Sequence, residues 1–463
     1  MAEDRVGTSR VGRAVRMTSA AAGVAGREAT GRLIVGARPS RATATRTDQQ
    51  LRSAQSLVKL FSGMRGAAMK VGQTLSAVDL GLVPEEVRPE FQATLATLQH
   101  DAQPVSFRAI AKVIEADLGR KVGDIFADID ETPVAAASIG QVHRGRLHDG
   151  RHVAVKVQYP GIAEAVHADL RNLKLGLKLL SAIAPGIDTA SIADEIRERI
   201  SEELDYELEA TNHSKMARVY HNHPFVVVPT VIEDLCRERV LVTEYIEGQR
   251  FADARTSLSQ EQRDRAGEIL VRFYLNGPLR HRLLNGDPHP GNCLFLSDGR
   301  VGFLDFGFVK RLDDRAVRQL IASTTATYHQ DPPGLLDVVT ELGALPADLE
   351  LAQPFLENYE AIFGWLLADE PLAVDPSKTA DMMHRYTAMR KNGFEGLALP
   401  AEHFVLMRSV MLLIGALGQL GARRAWLSII REWLFDDPPA TALGQEEADF
   451  FGHRYPYLTP AAA

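Results

Sequence analysis

The residues best suited to chemistry lie in Gly286-Asp287-Pro288-His289-Pro290-Gly291-Asn292 and, shortly after, in Phe303-Leu304-Asp305-Phe306-Gly307. Phosphoryl transfer needs oxygen ligands that hold magnesium on the phosphates, and a carboxylate near the attacking hydroxyl or water. Asp287 precedes Asn292 by five positions, and Asp305 follows a short hairpin that turns at Ser297-Asp298-Gly299. Asn292 and Asp305 would be the magnesium ligands. Asp287 would orient or deprotonate the nucleophile. Taken singly, an Asp-Phe-Gly triplet is a weak signal and Asp-Pro is often just a turn. The two pieces in this order and spacing argue against ordinary loop carboxylates.

Val153-Ala154-Val155-Lys156 is a second element. A strand lysine with its ammonium turned inward can pair with the α- and β-phosphates of a nucleotide. A lone strand of this type is commonly buried, with its lysine reaching out to solvent. Here it precedes Asp287 in the order that protein kinases use. Such a lysine requires a counter-carboxylate on a helix, and Glu202-Glu203-Leu204-Asp205-Tyr206-Glu207-Leu208-Glu209 offers several. Composition does not choose among them. No GxGxxG precedes the lysine strand. Ala135-Ala136-Ala137-Ser138-Ile139-Gly140-Gln141-Val142 stands in its place. Glycines let backbone amides approach phosphates closely, and three alanines restrict that approach.

These residues need elements to position them. Residues 1–50 are rich in Ala, Gly, Arg, Thr and Ser and suggest a mobile or weakly helical arm. Its arginines fit either a membrane-surface helix or a solvated tail. From Leu51, apolar residues recur every three or four positions up to Val78, the mark of an amphipathic helix. A helix near Phe91–Leu98 and another over 106–118, ending at Gly119, complete a helical layer. Strands are expected over Gln141–Leu147 and His152–Val157, joined by a turn at His148-Asp149-Gly150. Helices are expected over about 163–183 and 190–217, then strand-like runs at Phe225–Val231 and Arg239–Thr243. The remainder is expected to be mainly helical to about 435, apart from short strands near 293–296 and 301–304. A small mixed sheet with a key helix, followed by a helical region, is the protein-kinase layout. Alternating βαβ units are absent.

The 463 residues have ordinary globular composition, enough for two or three domains. A net charge of −8 divides into +6 over residues 1–52 and −14 over the remainder. Cys236 and Cys293 lie far apart and form no CxxC, so neither a disulfide scaffold nor a zinc site is expected. No secretory signal is visible. Ser409–Ala422 is uncharged but too short for a span, so a buried helix is expected and no transmembrane helix. Together these features suggest a cytoplasmic location and no nucleic-acid partner.

Over roughly residues 50–435 the chain resembles the UbiB family of atypical kinases, the family linked to coenzyme Q biosynthesis, with particular likeness to its mitochondrial-type members. The KxGQ signature stands as Lys70-Val71-Gly72-Gln73, the alanine-rich loop as Ala135–Val142, and the ExD signature as Glu203-Leu204-Asp205. Gln158-Tyr159-Pro160-Gly161 after the lysine strand adds to the likeness. The resemblance puts Glu209 opposite Lys156 and Lys70 opposite Glu203. It makes the helical layer, with Lys70, Gly72, Gln73, Glu203 and Asp205, an autoinhibitory cover. It assigns Ala135, Ala136, Ala137, Ser138 and Lys156 to ATP, and adenine to backbone groups of Glu244 and Ile246 in Thr243-Glu244-Tyr245-Ile246. Catalytic roles fall to Asp287, Lys156 and Glu209.

The expected fold is α+β: a bilobal protein-kinase-like fold with a small mixed β-sheet N-lobe, a helical C-lobe and an N-terminal helical extension covering the cleft. The expected organisation is a basic arm (1–50), a helical KxGQ extension (51–125), an N-lobe (126–247), a helical C-lobe (248–440) and a C-terminal tail (441–463). The expected function is an Mg-ATP-binding atypical kinase or ATPase supporting isoprenoid quinone or related lipid biosynthesis. The resemblance further implies a lipid or quinone-precursor ligand, quinone-biosynthesis proteins as partners, and peripheral contact with the inner face of a membrane. Two alternatives stay open: a small-molecule or lipid phosphotransferase, since the Asp287–Asn292 loop also resembles that of aminoglycoside and choline kinases, and a nucleotide-gated non-enzymatic scaffold.

Overall fold

Hydrophobic alternation along the chain builds two units in this computed structural model, in which residues 105–137, 139–168, 170, 201–374 and 401–452 are described. The expectations for the basic arm, for most of the helical layer with Lys70, Gly72 and Gln73, and for Ser138 lie outside those residues. Among the described residues, one unit comprises those up to Ala210 together with Val231–Tyr245, and the other comprises Thr211–Thr230 and those from Ile246.

The first unit is a five-stranded antiparallel sheet. β1 (Phe126–Ile129), β3 (Gly140–Leu147), β4 (His152–Gln158) and β6 (Val240–Glu244) run in that order, and β2 (Ala135–Ala136) pairs with β3. Val153, Val155 and Val157 are fully buried on one face of β4, so the period of two places Lys156 on the other face. The β3–β4 turn closes at Gly150, whose φ of 91° suits glycine. Gly140 is required for a different reason: a Cβ there would collide with the Val157 carbonyl. Helix α1 (Phe107–Leu118) covers the buried face with Ile110, Val113 and Ile114, and it ends at left-handed Gly119. Gln141 and His143, both fully buried, form a polar seam in β3. The Gln141 amide exchanges hydrogen bonds with Val105 and meets His143, whose other ring nitrogen meets the Asp130 carbonyl at 2.7 Å.

The expected helix over 190–217 is interrupted. Residues 201–203 are helical, Leu204 and Asp205 break the helix, and α2 (Tyr206–Val219) starts afresh. Asp205 causes the restart, since its Oδ1 accepts the Leu208 N–H at 2.9 Å as a helix N-cap does.

The second unit is built around α3 (Gln260–Val271) and α7 (Ala401–Leu420), with α4 (Asp314–Tyr328), α5 (Pro332–Glu341), α6 (Ala352–Phe363), α8 (Trp426–Phe435) and α9 (Ala442–Phe451). Among the described residues no helix is long and apolar enough to cross a membrane. Strands are more numerous here than the expected helical pattern allows. β5 (Val226–Val227), β10 (Val301–Phe303), β9 (Cys293–Phe295) and β7 (Gln249–Arg250) form one sheet, and β8 (Leu283–Asn285) pairs with β11 (Val309–Arg311). Two- and three-residue strands carry no readable period. The expected run Phe225–Val231 shortens to β5, with Val231 making a single bridge to Thr243. Residues 442–451, in the stretch expected as a tail, form α9, whose buried face includes Glu447 and therefore lacks an apolar stripe.

Burial lowers the pKa of His223 to about 3 and of His281 to about 4, and it lowers that of His143 as well. Each is therefore neutral in the folded chain where an unfolded histidine, near 6.5, begins to charge. Their contribution to stability is present above pH ~6.5 and is lost as the pH falls toward 4 and then 3. Denaturant midpoints are expected to fall between pH 7 and pH 5, as the unfolding free energy drops by up to about 1.4 kcal/mol per pH unit per histidine. A midpoint unchanged over that range would contradict this account.

Candidate active site

In the first unit, β4 and α2 meet through polar side chains. The Lys156 ammonium donates to both Glu209 oxygens at 2.7 and 2.8 Å, and Glu209 is 3 % exposed. The ammonium also lies 4.9 Å from the ring centre of the buried Tyr206. Gln158, two residues along the same strand face, donates to the Leu204 carbonyl at 2.7 Å and to the Glu238 carbonyl at 3.2 Å. The helix break is thus tied to the lysine strand, and the break sets which acid of α2 meets Lys156. Glu203 is half-buried just before the break, and Asp205 is exposed and caps α2. Any pairing of Glu203 with Lys70 lies outside the described residues.

The alanine-rich segment is a tight antiparallel turn. Ala135 pairs with Val142, Ala136 pairs with Gln141, and the Ala137 N–H donates to the Gly140 carbonyl at 2.8 Å. At the end of β6, Glu244 pairs with Val153, and the Tyr245 N–H donates to the His152 carbonyl at 3.0 Å. Ile246 is the first residue of the second unit, and its side chain fills the space over Gly302.

In the second unit, β8 ends at Asn285, a buried residue with two tasks. Its Oδ1 accepts the Asp287 N–H at 3.1 Å, and its Nδ2 donates to the Asp305 carbonyl at 2.9 Å. The Asp287 carbonyl accepts the His289 N–H at 2.7 Å and, more weakly, Asn292 Nδ2 at 3.4 Å. That second bond orients the Asn292 amide, whose Oδ1 is the atom that could ligate a metal ion. Asn292 and Asp305 come together because β9 and β10 are paired: Cys293 faces Phe303, and the Leu304 N–H donates to the Asn292 carbonyl at 3.0 Å. Asp305 Oδ1 accepts the Gly307 N–H at 3.0 Å. Phe306 is fully buried, 4.5 Å centre to centre from the His213 ring.

The floor under this pair is a π-helical turn, Arg272–Asn276. Such a turn inserts a residue and redirects the side chains that follow. Phe273 stacks on Phe303 at 3.7 Å, and the fully buried Tyr274 packs below Cys293, the neighbour of Asn292. Burial, with Asp287 and Asp305 nearby, holds the Tyr274 hydroxyl well above its ordinary pKa, so it stays neutral. Burial likewise pushes the Cys293 thiol up to about 12, which makes it a packing group.

Among the described residues no cluster of three or more His, Cys, Asp or Glu could hold a metal ion by itself. Magnesium does not require one. It is usually bound by one or two protein oxygens together with phosphates and water, so an Asn–Asp pair fits that ion.

Sequence reasoning missed Asn285, Arg408 and the role of Gln158, which it named only as part of the likeness in Gln158–Gly161. Arg408 of α7 has Nη2 3.9 Å from Asp287 Oδ1. A buried polar residue inside an apolar pattern was the available signal for all three.

A small sheet with a lysine–glutamate pair and a helical unit with the Asp, Asn and Asp-Phe-Gly residues define a kinase-like α+β protein. Residues 97–339 match the ABC1 atypical kinase-like domain, and the chain belongs to that family, also known as the UbiB family. The chain is 36% identical over 256 residues to atypical kinase COQ8B of Rattus norvegicus, covering 55% of this chain and 48% of the relative. It is 34% identical over 316 residues to the chloroplastic ACTIVITY OF BC1 COMPLEX KINASE 1 of Arabidopsis thaliana, covering 67% and 45%. The chain spans about half the length of the curated relatives it matches. A solved structure, the complex of Rv3197 with erythromycin from Mycobacterium tuberculosis, is similar at a TM-score of 0.61 and 30% identity, covering 86% of this chain and 98% of that one.

Proposed function

We propose that this chain binds Mg-ATP and acts as a UbiB-type kinase or ATPase that supports isoprenoid quinone or related lipid biosynthesis at a membrane surface. The observation that carries the reading is the loop in which Asn285 holds both Asp287 and Asp305 while the β9–β10 pairing brings Asn292 beside Asp305. In this reading Asp287 orients the attacking hydroxyl or water and takes its proton. Lys156 neutralises phosphate charge, and Glu209 keeps its ammonium in place. Mg²⁺ would be held by Asn292 and Asp305, and it supplies charge neutralisation on the phosphates. Ala135–Ser138 would line the phosphates, and backbone groups of Glu244 and Ile246 would receive adenine. The autoinhibitory role of Lys70, Gly72, Gln73, Glu203 and Asp205, the membrane contact and the quinone-biosynthesis partners rest on family resemblance, and the cytoplasmic location rests on the sequence features given above.

The aromatic ring of a quinone-precursor ligand has a candidate place in the second unit. A cavity of about 140 Å³ is lined by residues including Leu320, Phe355, Tyr359, Met407, Val410 and Trp433. That is close to the size of an engineered apolar cavity that binds benzene. The similar structure with erythromycin shows that one related protein takes a bulky small molecule.

The test is product analysis with Mg·ATP, with and without vesicles rich in anionic lipid and a quinone-precursor mimic. Release of inorganic phosphate is expected, and vesicles or mimic should raise it. A phosphorylated small acceptor would instead make the protein a phosphotransferase. Neither product, together with no thermal stabilisation by Mg·ATP, would remove the enzymatic reading.

A further inference from the structure

We propose that Arg408 is a positioning residue for Asp287, holding the carboxylate in the orientation used for phosphoryl transfer. The inference rests on the proposed role of Asp287.

Arg408 sits in α7, far along the chain from the loop it serves and beyond the residues matched to the family domain. Its side chain is 6 % exposed, and that of Asp287 is 19 % exposed. A guanidinium keeps its charge at any ordinary pH, so one this deeply buried must be compensated by an anion. Asp287 Oδ1 lies within ion-pair distance of Nη2, at 3.9 Å.

The contact is built into the packing of α7 against the loop. A Cβ on Gly286 would collide with the Phe308 ring and lie 3.1 Å from Val405 Cγ1. Glycine therefore lets the chain just before Asp287 lie directly on α7. Arg408 is three residues after Val405, on the same helix face. The face that receives Gly286 thus presents its guanidinium to the next residue.

The carboxylate has a use for such a partner. Asn285, His289 and Asn292 fix the backbone N–H and carbonyl of Asp287. Backbone contacts leave the terminal torsion of an Asp side chain broadly distributed. A cation beside one oxygen narrows that distribution. The arrangement predicts an effect on turnover with little effect on nucleotide binding.

The experiment uses the full chain and three variants: Arg408→Gln, Asp287→Asn and the double variant. Phosphate release from Mg·ATP gives kcat and KM, and thermal stabilisation by Mg·ATP reports binding. Arg408→Gln is expected to lower kcat by about 10- to 100-fold, the scale of misplacing a reacting group by an ångström. KM and the stabilisation by Mg·ATP should stay within about twofold of the parent. In the Asp287→Asn background, Arg408→Gln should cost nothing further, because the two act as one unit.

A parental kcat in Arg408→Gln would overturn the proposal. So would a rise in KM with unchanged kcat, which would make Arg408 a nucleotide contact, or an additive loss in the double variant. Should Arg408→Gln not fold, Arg408→Lys decides, because it keeps the buried charge and loses the planar fork. Its kcat should fall while KM and the Mg·ATP stabilisation hold, and a parental kcat overturns the proposal. If Asp287→Asn is as active as the parent, the role of Asp287 and this inference fall together. If Asp287→Asn is inactive and Arg408→Gln has the parental kcat, only this inference falls.

Discussion

Asp305→Asn is expected to abolish the stabilisation that Mg·ATP gives the parent, and to reduce phosphate release by at least 10²-fold. The substitution keeps the shape of the side chain and removes its charge. The Asp305 carbonyl still accepts from Asn285, and an amide oxygen can still accept the Gly307 N–H, so the local backbone keeps its contacts. Under the proposed function the change falls on the metal. Magnesium held by two neutral amides and phosphates lacks the one protein anion that favours its dehydration. A ligand at 100 times its Kd stabilises a fold by about 2.7 kcal/mol. In the parent, a shift of that order should accompany saturating Mg·ATP. In Asp305→Asn it should vanish, while the melting temperature without nucleotide stays near that of the parent. Undiminished stabilisation by Mg·ATP would remove Asp305 from the metal site.

The largest loss of stability is expected at Arg272. Its side chain is 1 % exposed, and every nitrogen is used. Nε donates to Glu268 at 2.9 Å, Nη1 donates to Glu432 and Glu447 at 2.9 Å each, and Nη2 donates to Glu432 at 3.0 Å and to Thr441 at 3.1 Å. Arg424 adds a second cation at Glu268, 3.0 Å away. Glu447 belongs to α9, so the cluster ties the last described helix to α3 and α8. Burial raises the pKa of Glu447, against the pull of Arg272. Arg272→Met would leave Glu432 and Glu447 buried without their cation. Breaking a buried pair in this way costs about 3–5 kcal/mol. The variant is expected to show that loss in urea unfolding. The gap to the parent should narrow at low pH, where the stranded carboxyls take up protons and their repulsion ends. A loss under ~1 kcal/mol would mean that the cluster is solvated or replaceable.

Much of this protein could be read along the chain. Phe107–Leu118 carries apolar residues at helical spacing and stops at a glycine, and the structure ends the helix there. The β3–β4 hairpin follows from alternation on both sides of Asp149-Gly150. The order of lysine strand, Asp, Asn and Asp-Phe-Gly pointed to phosphoryl chemistry because those residue types have few other uses at that spacing.

What only the tertiary structure decided concerns polar groups inside the protein. Among the acids from Glu202 to Glu209, periodicity offered no choice, and only the family resemblance put Glu209 opposite Lys156. The break at Leu204–Asp205, which Gln158 ties to the lysine strand, sets the register that puts Glu209 on Lys156. Asn285 is an ordinary strand-end asparagine until the fold sets Asp287 and Asp305 on either side of it. Arg408 interrupts an apolar helix, and Glu447 interrupts the buried face of α9. Each weakens the pattern by which burial is recognised. Local periodicity records which face of an element leaves water. It does not record which distant charge will be waiting there, and a buried charge is stable only where the folded chain supplies that partner.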